Sequence, residues 1–219
     1  MIQATFGLAQ SANAQDVASL ANSYGSWVGV RSNHVLDSNG RFSGVDGSSR
    51  SISNKEDREL LIALRKNADL IVVDAATARL EQYRAPTSKP ALAVFSSSGD
   101  FTNIPAVEAS QLPIYLFSGK SLPNHPTNPN ATIVPLTHAP FEGFLEWAKS
   151  HSFDAILLEA GPTLTAKAFA AGIVRQSAIT RTGVSSKIDP KLLPNPFDPK
   201  AKLISLAVSS TTSFSLWSH

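Results

Sequence analysis

The chain has no cysteine, which excludes disulfides, thiolate catalysis and cysteine-held zinc together. Charge is sparse as well. Only 16% of the 219 residues are charged, with 19 Lys and Arg against 17 Asp and Glu, and no basic block exists that could track a phosphodiester backbone. Nucleic acid is therefore not expected as a partner. Nothing approaches the roughly 18 apolar residues of a membrane span, and MIQATFGLAQ lacks the basic start and apolar centre of a secretory signal. No membrane association and a cytoplasmic location are the expectations. His34, His125, His138, His151 and His219 show no paired ligand spacing, so no metal is expected.

A hydrophobic share of 42% supplies a sizeable core, and no repeat, heptad or long linker divides the chain, so a single domain over residues 1–219 is expected. The stretch DAILLEAGPTL, residues 154–164, is the most informative. Asp154, Ala155, Ile156, Leu157 and Leu158 read as a parallel strand covered on both faces, which delivers Glu159 into a tight turn. Gly161 lets the backbone pass close to a ligand, Pro162 suits the first helical position, and the N–H groups beyond favour an anion such as phosphate. The same Gly-Pro step also serves as plain punctuation between strand and helix.

Residues 69–73, DLIVV, running into DAATARLEQY, repeat this strand-turn-helix pattern. A first strand is expected at 27–35, followed by a polar Gly/Ser-rich loop at 37–50. Ser53 and Glu56 form a capping-box pattern ahead of a helix at 54–67 with Leu60, Leu61 and Leu64 on one face. Further strands are expected at 91–96, 113–118 and 132–136, and a helix at 141–151 beyond the loop SLPNHPTNPN. After Gly172 the pattern changes to strands at 174–182, 202–209 and 213–218, separated by DPKLLPNPFDPK and expected to close the sheet with an antiparallel edge. Alternating strands and helices elsewhere imply a mostly parallel sheet.

Together, RSNHVLDSNGRFSGVDGSSRSIS, VDAATARLEQYRAP and LLEAGPTL resemble the pyrimidine reductase family of riboflavin biosynthesis, with the blocks in family order from about residue 27 onward. Free-standing reductases, without the fused deaminase, are most similar. The resemblance implies an α/β, dihydrofolate-reductase-like fold: a mostly parallel central sheet flanked by helices, with antiparallel C-terminal edge strands. It also implies a homodimer and NADPH-dependent reduction of 5-amino-6-(5-phosphoribosylamino)uracil to its ribitylamino form.

The family's site residues carry over by position. Its strand ending in Ser-Leu-Asp-Gly is here Asp37, Ser38, Asn39 and Gly40; an amide at Asn39 still orients substrate but cannot act as a base. The Gly-Ser segment into the helix is well kept, which implies Ser49 and Ser53 as hydroxyl donors, Arg50 beside a phosphate and Asn33 as a polar anchor on the preceding strand. Ser53 is equally a plain helix cap. Glu81 matches an acidic position near substrate and reads equally well as an exposed helix carboxylate. Where the family has Glu-Gly-Gly, Glu159, Ala160 and Gly161 stand. Asn39 and Glu159 are the implied catalytic pair nearest the reacting carbon, although Glu159 could equally hold ribose hydroxyls.

The implied cofactor residues are Asp74, Ala75, Thr77, Gly161, Pro162, Thr163 and Leu164. The usual Val-Gly-x-Gly-Thr turn is here Val73, Asp74, Ala75, Ala76 and Thr77, so both glycines are gone. Two like charges about 4 Å apart cost roughly 4 kcal/mol at an effective dielectric near 20, or about three decades of affinity. Asp74 is thus expected to oppose the dinucleotide unless it faces solvent or pairs with Arg79 or Arg84. These departures favour an alternative, a diverged non-catalytic nucleotide-binding protein on the same fold. Reduction of a folate-like pterin is a third reading, less suited to the Gly-Ser loop.

Overall fold

Short apolar runs set the strands of this chain, and glycine, proline and serine set their ends. The computed structural model describes residues 1–84, 89–137, 139–184 and 194–219. His138 and the segment 189–193 of DPKLLPNPFDPK lie outside them. The elements in chain order are β1 (Gln3–Phe6), α1 (Gly7–Ser11), α2 (Val17–Ser23), β2 (Gly29–Leu36), a 3-10 turn (Ser49–Ser51), α3 (Lys55–Lys66), β3 (Leu70–Asp74), α4 (Ala75–Leu80), β4 (Ala91–Phe95), α5 (Pro105–Ala109), β5 (Ile114–Ser118), β6 (Ala131–Pro135), α6 (Phe144–Ser150), β7 (Ala155–Leu158), α7 (Pro162–Ala170), β8 (Val174–Thr182), β9 (Lys202–Val208) and β10 (Thr212–Ser218). They fall into two units, one of Met1–Asn67 with Val174–His219 and one of Ala68–Ile173.

In the first unit the strands follow the order β1, β9, β10, β8, β2. Only β2 and β8 run parallel; β8, β10, β9 and β1 pair antiparallel, and the short turn between β9 (ending at Val208) and β10 (starting at Thr212) makes that pair a hairpin. Leu36, Ile179 and Trp217 are buried on one face under Phe42, Ala201 and Leu203. The helix expected at 54–67 forms as α3, but its cap differs from the expected Ser53–Glu56 box. Asn54 is the N-cap and accepts a hydrogen bond from Asp57 N (3.0 Å). Asn caps a helix as well as Ser does, and here it stands one residue nearer. Ser53 Oγ instead donates to Asp57 Oδ2 (2.7 Å), and Glu56 accepts from Ser209 Oγ (2.6 Å).

The second unit is entirely parallel, in the order β7, β3, β4, β5, β6. All four residues of β7 are buried, as are Leu70, Ile71, Val72 and Val73 of β3, because helices and loops cover both sheet faces. Phe95 and Phe117 stack with ring centroids 4.5 Å apart, and Phe144 closes edge-on against both, so α6 is held to the sheet by aromatic packing. Among the described residues no helix is long and apolar enough to cross a membrane.

Candidate functional site

From β3 the chain builds outward through β4, β5 and β6, then returns to lay β7 on the other side of β3. Where two parallel neighbours send their connections in opposite directions, a crevice opens at their carboxyl ends. A cavity of about 630 Å³ lies at that point. Its wall comes from five strand ends: Asp74, Ala75, Ala76 and Thr77 after β3, Ser96, Ser97, Ser98 and Asp100 after β4, Gly119 and Lys120 after β5, Leu136 and Pro140 after β6, and Gly161, Pro162, Thr163, Leu164 and Lys167 after β7. The seven residues expected at a cofactor therefore share one cavity.

Register makes this geometry unavoidable. Val72 of β3 lies beside Leu158 of β7, and Glu159 N continues the ladder to Val72 O (2.8 Å), so the two turns emerge side by side. Pro162 opens α7 at its first position, where the missing N–H removes nothing the helix uses.

Asp74 neither faces solvent freely nor pairs with Arg79 or Arg84. Its Oδ1 accepts from Thr77 N (2.8 Å), capping α4, while Oδ2 accepts from Thr77 Oγ1 (2.8 Å) and from Gly161 N (2.7 Å). Three donors thus hold the carboxylate between two turns. A side chain at Gly161 would force Thr77 or Asp74 to move, since a Cβ would lie 2.7 Å from Thr77 Oγ1 and 3.2 Å from Asp74 Oδ2. Arg79 is engaged elsewhere, with Asp100 Oδ2 (3.4 Å) and Thr102 O (3.0 Å). Hydrogen bonds from the Thr102 backbone and hydroxyl, assisted by Arg79, hold Asp100 below the ordinary carboxylate range.

Lys120 and Lys167 are exposed on the cavity wall and, among the described residues, belong to no ion pair. Sequence reasoning missed them and the serines after β4. The signal was available: if the strands are parallel, SSSGD after β4 and SGK after β5 must emerge at the same sheet edge as the turns after β3 and β7. SSSGD turns sharply because Gly99 takes φ 80°, with its missing Cβ only 2.7 Å from Ser121 O.

Glu159 and Glu81 lie in this unit but outside the cavity wall. The hydroxyl of buried Tyr83 donates to Glu159 Oε2. Glu81 terminates α4, donates its N–H to Thr77 O (2.9 Å) and is buried, unlike the exposed carboxylate of the simpler reading.

The remaining predicted residues belong to the first unit. Asn33 is on β2 with Oδ1 buried and unpartnered among the described residues. Ser49 and Arg50 form the 3-10 turn, capped by Ser48 Oγ accepting from Arg50 N (3.0 Å). Asn39 is exposed in a turn organised by Asp37, whose Oδ1 accepts from Asn39 N (2.8 Å) and Arg41 N (2.9 Å). The hydroxyl of Ser53 is committed to Asp57, as described above.

Next to Asn33, His34 packs against Phe197 and Phe42 at ring-centroid distances of 4.7 and 6.0 Å, with Nε2 buried and, among the described residues, unpartnered. Burial lowers its pKa from 6.5 to about 3, so the folded protein keeps the ring neutral where the unfolded chain protonates it. The contribution is whole above pH 6.5 and is lost as pH falls toward about 3, at up to about 1.4 kcal/mol per pH unit. His34→Leu is expected to flatten this part of the stability profile, read by urea unfolding at about pH 7 and about pH 5. Equal acid slopes in the two proteins would rule His34 out as the responsible group.

The comparisons with known proteins follow the same lines. The family model of the RibD C-terminal domain matches residues 30–181. No protein of curated function matches the sequence. A pyrimidine reductase-like protein from Corynebacterium diphtheriae superposes with TM-score 0.63 at 18% identity, covering 97% of this chain and 98% of that one. The deaminase/5-amino-6-(5-phosphoribosylamino)uracil reductase of Thermotoga maritima gives TM-score 0.70 at 13% identity, over 92% of this chain and 59% of that one. The riboflavin biosynthesis reductase of Saccharomyces cerevisiae gives 0.61 at 12%, over 88% and 90%. The chain thus spans about three fifths of the bifunctional Thermotoga protein and nearly all of the Corynebacterium one. At these identities the likeness is one of fold, and the fold is dihydrofolate-reductase-like.

Proposed function

Because the chain belongs to the RibD C-terminal domain family, the pyrimidine reductases of riboflavin biosynthesis, we propose that it reduces 5-amino-6-(5-phosphoribosylamino)uracil to the ribitylamino compound with NADPH. The observation that carries this reading is the cavity at the β3/β7 switch point, of about 630 Å³, walled by the seven residues the resemblance assigns to cofactor. NADPH, when bound, supplies the hydride.

The donor set suits such a group along most of the wall. Thr163 and Leu164 present N–H groups in the first turn of α7, and Lys120 and Lys167 add positive charge for a phosphate. The Gly161 amide is the exception, being held by Asp74. The chain's own task is to bind and orient. Glu159, fixed by the Tyr83 hydroxyl, is the proposed anchor at the reacting end. In the first unit, Ser49 and Arg50 are the proposed sugar-phosphate contacts, and Asn33 offers its unpartnered Oδ1 to a substrate N–H or O–H. Ser53 supports them through Asp57. Asn39, with no acidic proton to give, is the proposed orienting amide, and buried Glu81 the proposed acidic residue near substrate. The same reading includes a homodimer in the cytoplasm.

The test is direct: incubate the purified protein with NADPH and the aminopyrimidine, and follow loss of NADPH absorbance together with appearance of the ribityl product. Product formed in proportion to NADPH consumed is the expected result. NADPH binding without turnover would instead establish the second reading, a diverged nucleotide-binding protein, which the Asp74–Gly161 hydrogen bond specifically favours.

A further inference from the structure

We propose that Asp74 is a built-in occupant of the anion-binding turn after β7, so that this cavity selects against ligands that place a phosphate on the Gly161 amide. The inference rests on the reading of the cavity as a nucleotide site, and it concerns which part of that site is open.

An external anion at a helix start is held by converging N–H groups and the positive end of the helix dipole. Here a single side-chain carboxylate already collects such groups from two neighbouring turns: Thr77 N at 2.8 Å on the α4 side and Gly161 N at 2.7 Å on the α7 side, with Thr77 Oγ1 at 2.8 Å completing the shell. The space over Gly161 is filled as well as its hydrogen bond, because a Cβ placed there would meet Thr77 Oγ1 at 2.7 Å. A phosphate seated on this turn would have to break the contact between Asp74 and Gly161 and then lie beside the displaced carboxylate. Among the described residues no carboxylate pairs with Lys120 or Lys167, and Thr163 and Leu164 stand beside them on the wall, so an anionic ligand has to settle toward that side of the cavity. Asp74 thereby becomes a specificity-determining residue, acting through the amide it withholds rather than through distant repulsion.

Inorganic pyrophosphate and NADPH are the probes, titrated calorimetrically into the wild-type protein and into Asp74→Ser and Asp74→Asn. Serine keeps a short cap for Thr77 N, while asparagine keeps the shape and cap without the charge, so at least one variant retains α4, as its melting curve will report. The expected result is pyrophosphate binding at least about tenfold tighter in a folded variant than in the wild type, with NADPH following in the same direction. Equal pyrophosphate affinity in the wild type and both folded variants would overturn the proposal, and so would absence of pyrophosphate binding in all three proteins. Turnover is read separately: tighter pyrophosphate binding without NADPH oxidation refutes the reductase reading alone, whereas turnover with no change in pyrophosphate affinity refutes the role of Asp74 alone.

Discussion

Glu159→Gln is expected to lower turnover about tenfold or more while leaving the fold intact. The substitution changes charge and little else: the glutamine oxygen still accepts from Tyr83, and the backbone hydrogen bond from residue 159 to Val72 O (2.8 Å) does not involve the side chain. The main change is therefore the loss of one negative charge from the end of β7. If that charge is realised mainly in the transition state, kcat falls and KM stays near its wild-type value; if it holds substrate hydroxyls equally throughout, KM rises and kcat is spared. Tyr83→Phe separates positioning from charge, because it leaves the carboxylate and removes one donor that fixes it. A smaller fall, of roughly threefold, is expected there, consistent with loss of one oriented hydrogen bond. Unchanged turnover in Glu159→Gln would remove Glu159 from the site.

The second large effect concerns stability. Arg31 on β2 is wholly buried, yet among the described residues no carboxylate pairs with it. Its guanidinium donates through Nε (2.9 Å) and Nη2 (2.6 Å) to Gln176 Oε1, through Nη2 to Tyr24 O (3.0 Å), and lies 4.2 Å from the centre of the Trp27 ring. Burial lowers its pKa to about 10, so it remains charged at neutral pH, and the Gln176 amide oxygen is its main polar partner. Removing that oxygen leaves two donors of a buried cation unmet. Gln176→Ala is thus expected to cost about 3 kcal/mol, a fall in Tm of about 6 to 12 °C for a chain of this size. Gln176→Glu, which supplies a carboxylate of the same shape, is expected to melt no lower than the wild type. An alanine variant melting within about 1 °C of the wild type would show that water or a rearranged side chain replaces the lost acceptor.

Much of the parallel sheet was legible because its strands are continuous apolar runs bounded by turn residues. DLIVV and DAILL gave β3 and β7 to within a residue or two, and their adjacency follows from the strand order. The first 26 residues were not read as structure, although Asp16 and Ser19 form a reciprocal cap that starts α2, with Asp16 Oδ1 accepting from Ser19 N at 2.7 Å. A cap of that form is a local signal. What hid it is the shortness of the helix behind it, only seven residues, whose formation depends on tertiary contacts rather than on period. The five-residue α5 escaped for the same reason.

At the site, residue identity foretold position better than it foretold partnership. The sequence pattern puts Asp74 at the end of a strand, where it ends β3 and caps α4, but it weighs that charge against an incoming ligand alone, because which donors surround a carboxylate depends on the register of two strands distant in sequence. Gly161 is 87 residues away from it along the chain. Ser53 shows the converse: a capping pattern is satisfied by whichever adjacent residue reaches the helix start first, and Asn54 stands nearer.

A nucleotide is expected to bind at the carboxyl ends of β3, β4, β5 and β7, where the cavity lies. Hydrogen exchange of the protein, with and without saturating NADPH, tests this most directly. Slowed exchange at the amides of Ser97, Ser98, Lys120, Thr163 and Leu164 is the expected pattern. Binding that leaves all five amides unprotected, or protection found only among residues outside 68–173, would contradict it.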